Sequence, residues 1–188
     1  MTTINRTSGY PPQPPARAWP AWPLTALLAV LFGGPLIAPL FQATGLWLVA
    51  DSGALARDLL ASYVCPTPAK SYALLGHPMA VCARCWGATI GLWAGWFAFR
   101  AGWPAGLLGR FLPLPWAARL LLAALPFLLW PAEIAWWPAA PYAALLLNGA
   151  QAGFWAGLFF CSIWPGLKAG GRTKNQEPRT ESWTASCK

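Results

Sequence analysis

The stretch that decides the fold runs from Cys65 to Gly95 and begins with CPTPAKSY at residues 65–72. It continues at residues 76–95 as GHPMAVCARCWGATIGLWAG, where a Cys-x-x-Cys pair passes directly into an apolar, glycine-rich run. Three of the five cysteines and the only histidine lie in this stretch. Because the rest of the chain carries few chemically active side chains, a reactive or metal-binding site is expected here.

The composition indicates an integral membrane protein in a lipid bilayer. Of the 188 residues, 57% are hydrophobic and only 10% are charged, whereas soluble domains carry about 25% charged residues. The 14 tryptophans suit the boundary between headgroups and hydrocarbon. The net charge of +8 is concentrated in segments that flank apolar runs, a pattern typical of membrane topology, so nucleic acid is not an expected partner.

The apolar runs predict an all-α fold, an integral membrane four-helix bundle. About 20 apolar residues cross a bilayer, and the predicted crossings are 23–49, 81–99, 117–136 and 142–163. In the first, Gly33-Gly34-Pro35 predicts a kink or, alternatively, the break of a re-entrant hairpin. Between crossings, residues 51–64 predict a short interfacial helix before the Cys/His segment, and 100–116 predict a loop. The membrane domain covers 21–166, between a proline-rich tail at 1–20 and a basic tail at 167–188, both expected to be disordered.

The basic residues predict the orientation. Of the 13 Lys and Arg residues, only Arg57, Lys70 and Arg84 lie on one side of the four crossings. Since positive charge remains in the cytoplasm, both termini are predicted to be cytoplasmic in the bacterial inner membrane. The Cys/His segment then faces outward.

Two of the predicted helices share a pattern. Residues 87–97 and 149–159 both follow G-A-x-x-G-x-W-A-G-x-F, at an offset of 62 residues. Small residues at every fourth position let membrane helices approach closely, so these helices are expected to pack through the glycines, either as parallel repeats or through convergent patterning. The glycines are Gly87, Gly91, Gly95, Gly149, Gly153 and Gly157.

A metal site is the first interpretation of the Cys/His segment. Cys65, His77, Cys82 and Cys85 give C-x11-H-x4-C-x2-C, a set able to surround zinc tetrahedrally. Soft sulfur ligands with the nearby Met79 also suit copper(I), and no metal at all is the remaining alternative.

Two other interpretations stay open. A Cys-x-x-Cys pair at a helix N-terminus, with Arg84 between its thiols, predicts a redox pair of Cys82 and Cys85 that exchanges with Cys65. An external disulfide is the structural alternative. Cys161 is expected to be a packing residue and Cys187 a surface thiol.

The run from Cys65 to Gly87, with P-A-K-S-Y and V-C-A-R-C-W-G, resembles the signature of a family of small bacterial integral membrane proteins with a domain of unknown function. The family pattern is approximately C-H-Q-x-P-x-R-S-F…P-V-C-A-R-C-x-G. Pro66 and Thr67 replace its His-Gln, and Lys70 replaces its arginine. The resemblance implies a membrane-embedded fold and no particular reaction.

The few charged residues within the spans have simple expectations. Arg84 and Arg100 are expected to extend their guanidinium groups outward. Glu133 is expected to be a solvated helix end, with a functional intramembrane acid as the alternative. No phosphate-binding loop or nucleophile elbow appears. The leading hypothesis is a membrane protein with a structural or metal-handling site, serving as an accessory subunit of a larger membrane complex. A thiol-disulfide oxidoreductase and a purely structural subunit are the alternatives.

Overall fold

The computed structural model describes residues 19–63, 65, 67–167 and 169, so most of both predicted tails, including Cys187, lies outside the described residues. The described chain is mostly helical. Its elements are α1 (Trp22–Ala43), α2 (Trp47–Tyr63), β1 (Ala73–Leu74), β2 (His77–Pro78), α3 (Ala83–Ala101), α4 (Ala105–Phe111), α5 (Trp116–Ala124), α6 (Leu129–Trp136) and α7 (Tyr142–Ile163).

Three helical segments of the described chain are long and apolar enough to cross a bilayer: Trp22–Ala43, Trp116–Trp136 and Tyr142–Ile163. They correspond to three of the four crossings predicted from sequence. The fourth, at 81–99, corresponds to the continuous helix α3, which does not meet the same criterion of apolarity. The four-helix arrangement therefore remains a prediction.

The first helix ends earlier than the sequence predicts. Helix α1 continues through Gly33-Gly34-Pro35, so the alternative of a hairpin break at these residues is wrong. The helix ends at Ala43 because Gly45 takes a left-handed conformation, with φ of 67°, which favours glycine and terminates helices. Residues 47–49, predicted to complete the first crossing, instead begin α2.

Proline within α1 connects this helix to the cysteine segment. Pro39 has no N–H, so the carbonyl of Pro35, four residues earlier, has no helical donor. That carbonyl accepts a hydrogen bond from the Ala80 backbone N–H at 3.3 Å. The chain preceding α3 is thereby held against the middle of α1.

The structure adds two elements that the sequence analysis missed. The region predicted as a loop at 100–116 contains α4. In the Cys/His segment, a two-stranded antiparallel hairpin pairs Leu74 with His77. The predicted helix at 117–136 is divided by a 3-10 turn, Leu125–Leu128. Pro126 and Pro131 account for this break, because each removes a backbone donor from the helix.

Both ends of the described membrane domain meet on one side of the molecule. The Trp19 N–H donates to the Pro165 carbonyl at 2.9 Å, and the Trp164 indole donates to the Pro20 carbonyl at 3.2 Å. Beside them lies a core cluster from α1, α3, α4 and α7 that includes Phe99 and Cys161. Cys161 is buried there as a packing residue.

Helices α3 and α7 pack with their backbones in direct contact along the shared glycine pattern. A methyl group added at Gly157 would lie 2.6 Å from the Leu92 carbonyl oxygen, and one at Gly95 would lie 2.5 Å from the Phe154 carbonyl oxygen. Both distances are below any normal contact. The six glycines of the two patterns therefore permit an approach that no larger residue allows.

The contact between these helices is symmetric. Gly87 faces Leu146, and Gly149 faces Arg84. The second pair is the first one shifted by the 62-residue offset of the sequence pattern, with the two helices exchanged. Gly153 faces Ala88, while Gly91 faces Ala150, again at the same offset. The two helices run parallel and are related by an approximate twofold axis along the bundle.

Adding one methyl group at this contact is expected to destabilise the protein. In Gly91→Ala the new methyl would lie 2.7 Å from the Phe154 backbone nitrogen, which cannot move aside as a side chain can. We expect unfolding free energy to fall by about 1–3 kcal/mol. Thermal unfolding in detergent, followed by circular dichroism, measures the change.

Gly33→Ala is the matched control, because a methyl group there meets nothing within 4 Å. Replacing this helical glycine is expected to leave stability unchanged or raise it by up to about 1 kcal/mol. Equal melting temperatures for the two variants would contradict the glycine contact.

Candidate metal centre

Three cysteines converge where α2, the hairpin segment and α3 meet. Cys65 follows α2, Cys82 is the N-cap of α3, and Cys85 lies in the first turn of α3. The spacing of Cys82 and Cys85 places both thiols at the same helix end. The intervening segment folds back through the hairpin, so Cys65 reaches them although it is 17 residues before Cys82.

The three thiols form a compact cluster. All three sulfur atoms lie within 4.8 Å of one another. Cys82 and Cys85 Sγ are 3.5 Å apart, and the Cys82 backbone N–H donates to Cys65 Sγ at 3.1 Å. Cys65 and Cys82 are buried, while Cys85 is half-buried.

The cluster has the dimensions of a thiolate metal site. Zinc–sulfur bonds of about 2.3 Å in a tetrahedron separate the sulfurs by about 3.8 Å. The Cys82–Cys85 sulfur separation of 3.5 Å is close to that value, and no pair of the three sulfurs is farther apart than 4.8 Å. A disulfide requires a bond of about 2.05 Å, and the cysteines of the described chain are all free thiols.

Mutual contact also changes the ionisation of these thiols. The pKa of Cys65 is raised, first by its hydrogen bond with the Cys82 side chain and further by burial. Because like charges repel, three neighbouring thiols favour a state with one shared negative charge over a state with three negative charges. A bound cation would compensate the additional charges.

The other predicted ligand lies outside this cluster. His77 is in strand β2, half-buried, and is not among the side chains whose ligand atoms converge. Met79 is buried in the segment that follows. The Thr67 hydroxyl is buried and has no hydrogen-bond partner in the described chain.

Arg84 does not extend outward or serve the thiols, and both expectations for this residue are wrong. Its side chain is 1% exposed, and its Nη2 forms an ion pair with Glu133 Oε1 at 2.8 Å. The guanidinium also lies 5.8 Å from the centre of the Trp130 ring. Arg100, at the other end of α3, is exposed as expected.

Glu133 is correspondingly not a solvated helix end, because its side chain is only 10% exposed. Its second carboxylate oxygen accepts a hydrogen bond from the Asn148 side-chain amide. The side-chain oxygen of Asn148 in turn accepts one from Gln151 Nε2 at 3.3 Å. The network joins α3, α6 and α7. Sequence reasoning missed it, although Arg84 and Glu133 are opposite charges in otherwise apolar helices, which is the signal that pairs them.

Comparison with known proteins places part of the chain in a family. Residues 65–159 match the model of the family DUF2085, described as a predicted membrane protein. The match begins at the first clustered cysteine and extends into α7. No curated protein and no solved structure matches the chain.

Removing one partner of the buried ion pair is expected to be strongly destabilising. Glu133→Ala leaves the Arg84 guanidinium buried without its counter-charge, and the expected loss is about 3–5 kcal/mol. Thermal unfolding of the purified protein in detergent measures it.

The double variant Arg84→Met/Glu133→Leu is the control, because it removes both charges and keeps apolar volume. It is expected to recover most of the stability that Glu133→Ala loses. If the double variant were as unstable as the single one, the ion pair would not be the source of the effect.

Proposed function

This chain belongs to the DUF2085 family of predicted membrane proteins, and we propose that it holds one zinc ion through the thiolates of Cys65, Cys82 and Cys85. The observation that carries the proposal is the convergence of these sulfur atoms within 4.8 Å. Thiolates are strong zinc ligands, and the metal would supply the positive charge that three neighbouring thiolates require.

An uneven number of clustered cysteines supports a metal over a structural disulfide. A disulfide would use two sulfurs and leave the third buried and unpaired beside it. A single metal ion would bind all three sulfur atoms. Copper(I), which also binds soft sulfur ligands, is the alternative metal.

Three protein ligands leave one position of a zinc tetrahedron open. Structural zinc sites normally have four protein ligands, whereas sites with three hold water or another molecule in the fourth position. Cys85 is half-buried, so this side of the cluster is accessible from outside. We therefore favour a metal-handling role over a purely structural one.

We further propose that α3 is a fourth crossing and that the cluster faces outward from the bacterial inner membrane. Helix α3 has 19 residues, which span about 28 Å, close to the hydrocarbon thickness. Its packing along α7 supports the crossing. The meeting of Trp19 with Pro165 and Trp164 supports placing both ends of the domain on one side, where the basic residues assign the cytoplasm.

An accessory role in a larger membrane complex is part of the same proposal. Helices α2, α5 and α6 present many large apolar side chains on the outer surface of the described chain, including Leu55, Leu121 and Leu129. Either lipid or another membrane protein can cover such an apolar surface.

Metal analysis of the detergent-purified protein tests the proposal. We expect about one zinc per chain, measured by inductively coupled plasma mass spectrometry. Cys65→Ser, Cys82→Ser and Cys85→Ser are each expected to lose the metal, because each removes one ligand.

The matched control is Cys161→Ser, which changes a buried cysteine in the distant core cluster and is expected to keep the metal. His77→Ala is expected to keep it as well, since His77 lies outside the cluster. Metal retained in all three cluster variants would contradict the site.

A thiol-disulfide oxidoreductase is the second candidate. It is favoured by the 3.5 Å between Cys82 and Cys85 Sγ at the start of α3, a geometry that needs little movement to form a disulfide. The pair would reduce a partner's disulfide to two thiols and become a disulfide itself. Metal-free protein whose Cys82 and Cys85 react with alkylating reagent only after reduction would support this candidate and reject zinc binding.

A further inference from the structure

Three arginines lie on the side of the molecule where both ends of the described domain meet. Arg100 is in the last turn of α3, Arg110 is in the last turn of α4, and Arg119 is in the first turn of α5. Arg100 and Arg110 are exposed, and Arg119 is half-buried. These side chains make one end of the helix bundle basic.

Contacts with α7 place two of these arginines at the same level. A methyl group at Gly95 would lie 3.0 Å from the Leu158 backbone nitrogen on the parallel helix. Arg100 is five residues later, about 7.5 Å further along α3, and is therefore level with the last turn of α7. In that turn, the Ser162 carbonyl accepts a hydrogen bond from Arg119 Nη1 at 3.4 Å.

The third arginine is held at the same end by its neighbours in α4. Leu108 and Phe111 lie on either side of Arg110 in the sequence, and both are buried in the core cluster with Phe99 and Cys161. This packing fixes α4 against the ends of α3 and α7. The three arginines therefore lie around the end of α7.

The acidic side chains of the described residues do not neutralise this charge. They are Asp51, Asp58 and Glu133, and Glu133 forms its ion pair with the first turn of α3 rather than the last. Both aspartates are on α2, which packs through Gly53 against Phe41 near the end of α1. Since α1 begins on the side of the arginines, these acids lie at the opposite end.

Helix dipoles do not compensate the arginines either. Helices α3 and α7 end on this side, and each contributes about half a negative charge. Helices α1 and α5 begin on the same side, and each contributes about half a positive charge. These contributions nearly cancel, so the positive charge of the arginines remains.

Tryptophans place this charge at the depth of the lipid headgroups. Trp19, Trp22, Trp103 and Trp116 are each more than half exposed, and they adjoin the start of α1, the end of α3 and the start of α5. Indole rings favour the boundary between hydrocarbon and headgroups. A guanidinium group at that depth meets lipid phosphates, whose oxygens match its fork of N–H donors.

We propose that the arginines around the end of α7 bind the phosphate of an anionic phospholipid. Arg100 and Arg110 donate N–H groups to the phosphate oxygens, while Arg119 stays bonded to Ser162 and adds its charge. An anionic lipid is favoured over a zwitterionic one, because the described residues at this end offer no acid to pair with a choline or ammonium group. The site is independent of the proposed metal and goes beyond that function by assigning the protein a lipid ligand.

Binding of phosphatidylglycerol and phosphatidylcholine to the detergent-purified protein tests the proposal, with native mass spectrometry as the measurement. Wild-type protein is expected to bind phosphatidylglycerol more tightly than phosphatidylcholine. Arg100→Gln and Arg110→Gln are each expected to bind phosphatidylglycerol about fivefold more weakly, the usual contribution of one basic residue at an anionic lipid surface.

Arg57→Gln is the matched control, because it removes the same charge from α2, at the opposite end of the bundle. This variant is expected to bind as the wild type does. If Arg100→Gln fails to fold, Arg110→Glu keeps the test informative, since its carboxylate repels the phosphate and is expected to abolish the preference for phosphatidylglycerol.

Three results would overturn the proposal. The first is equal binding of the two lipids by the wild type, and the second is a loss in Arg57→Gln as large as that in the variants of Arg100 and Arg110. The third is displacement of the lipid by an equal concentration of inorganic phosphate, because the site would then recognise a free anion.

Discussion

The direct backbone contact between α3 and α7 is the constraint on which the rest of this structure depends. Glycines on both helices allow it, and a methyl group at Gly95 or Gly157 would be within about 2.6 Å of the opposing carbonyl oxygen. Because membrane helices gain no hydrophobic energy by leaving lipid, close packing supplies the attraction instead. The contact holds the first turns of α3 against α7, and Cys82 and Cys85 lie at that end of α3.

The same contact brings a buried arginine to its counter-charge. With α7 against α3, the adjoining α6 brings Glu133 to Arg84, and Trp130 covers the guanidinium. Desolvating two charges costs several kcal/mol each, which their attraction offsets only in good geometry with further hydrogen bonds. Asn148 supplies one of these to the carboxylate. The turn of α3 that carries the two cysteines is therefore connected to both α6 and α7.

The sequence predicted the parts of this structure that follow from local pattern. Apolar run length identified three spanning segments, and glycine spacing identified the faces of α3 and α7. The end of α1 at Ala43 was missed because no charge separates it from α2, and only Gly45 marks the turn. The partnership of Arg84 with Glu133 spans 49 residues, and local pattern carries no information about such a contact. Spacing alone likewise grouped His77 with the cysteines, whereas the hairpin holds it in β2 outside their cluster.

The convergence of the three thiols leads to the central proposal, that three sulfur atoms bind one metal ion at the start of α3. X-ray absorption spectroscopy at the zinc edge of the purified protein tests that claim most directly. The account predicts a first shell dominated by about three sulfur scatterers at about 2.3 Å, with one lighter atom completing the tetrahedron. A shell of nitrogen and oxygen alone, or protein that contains no metal, would contradict it.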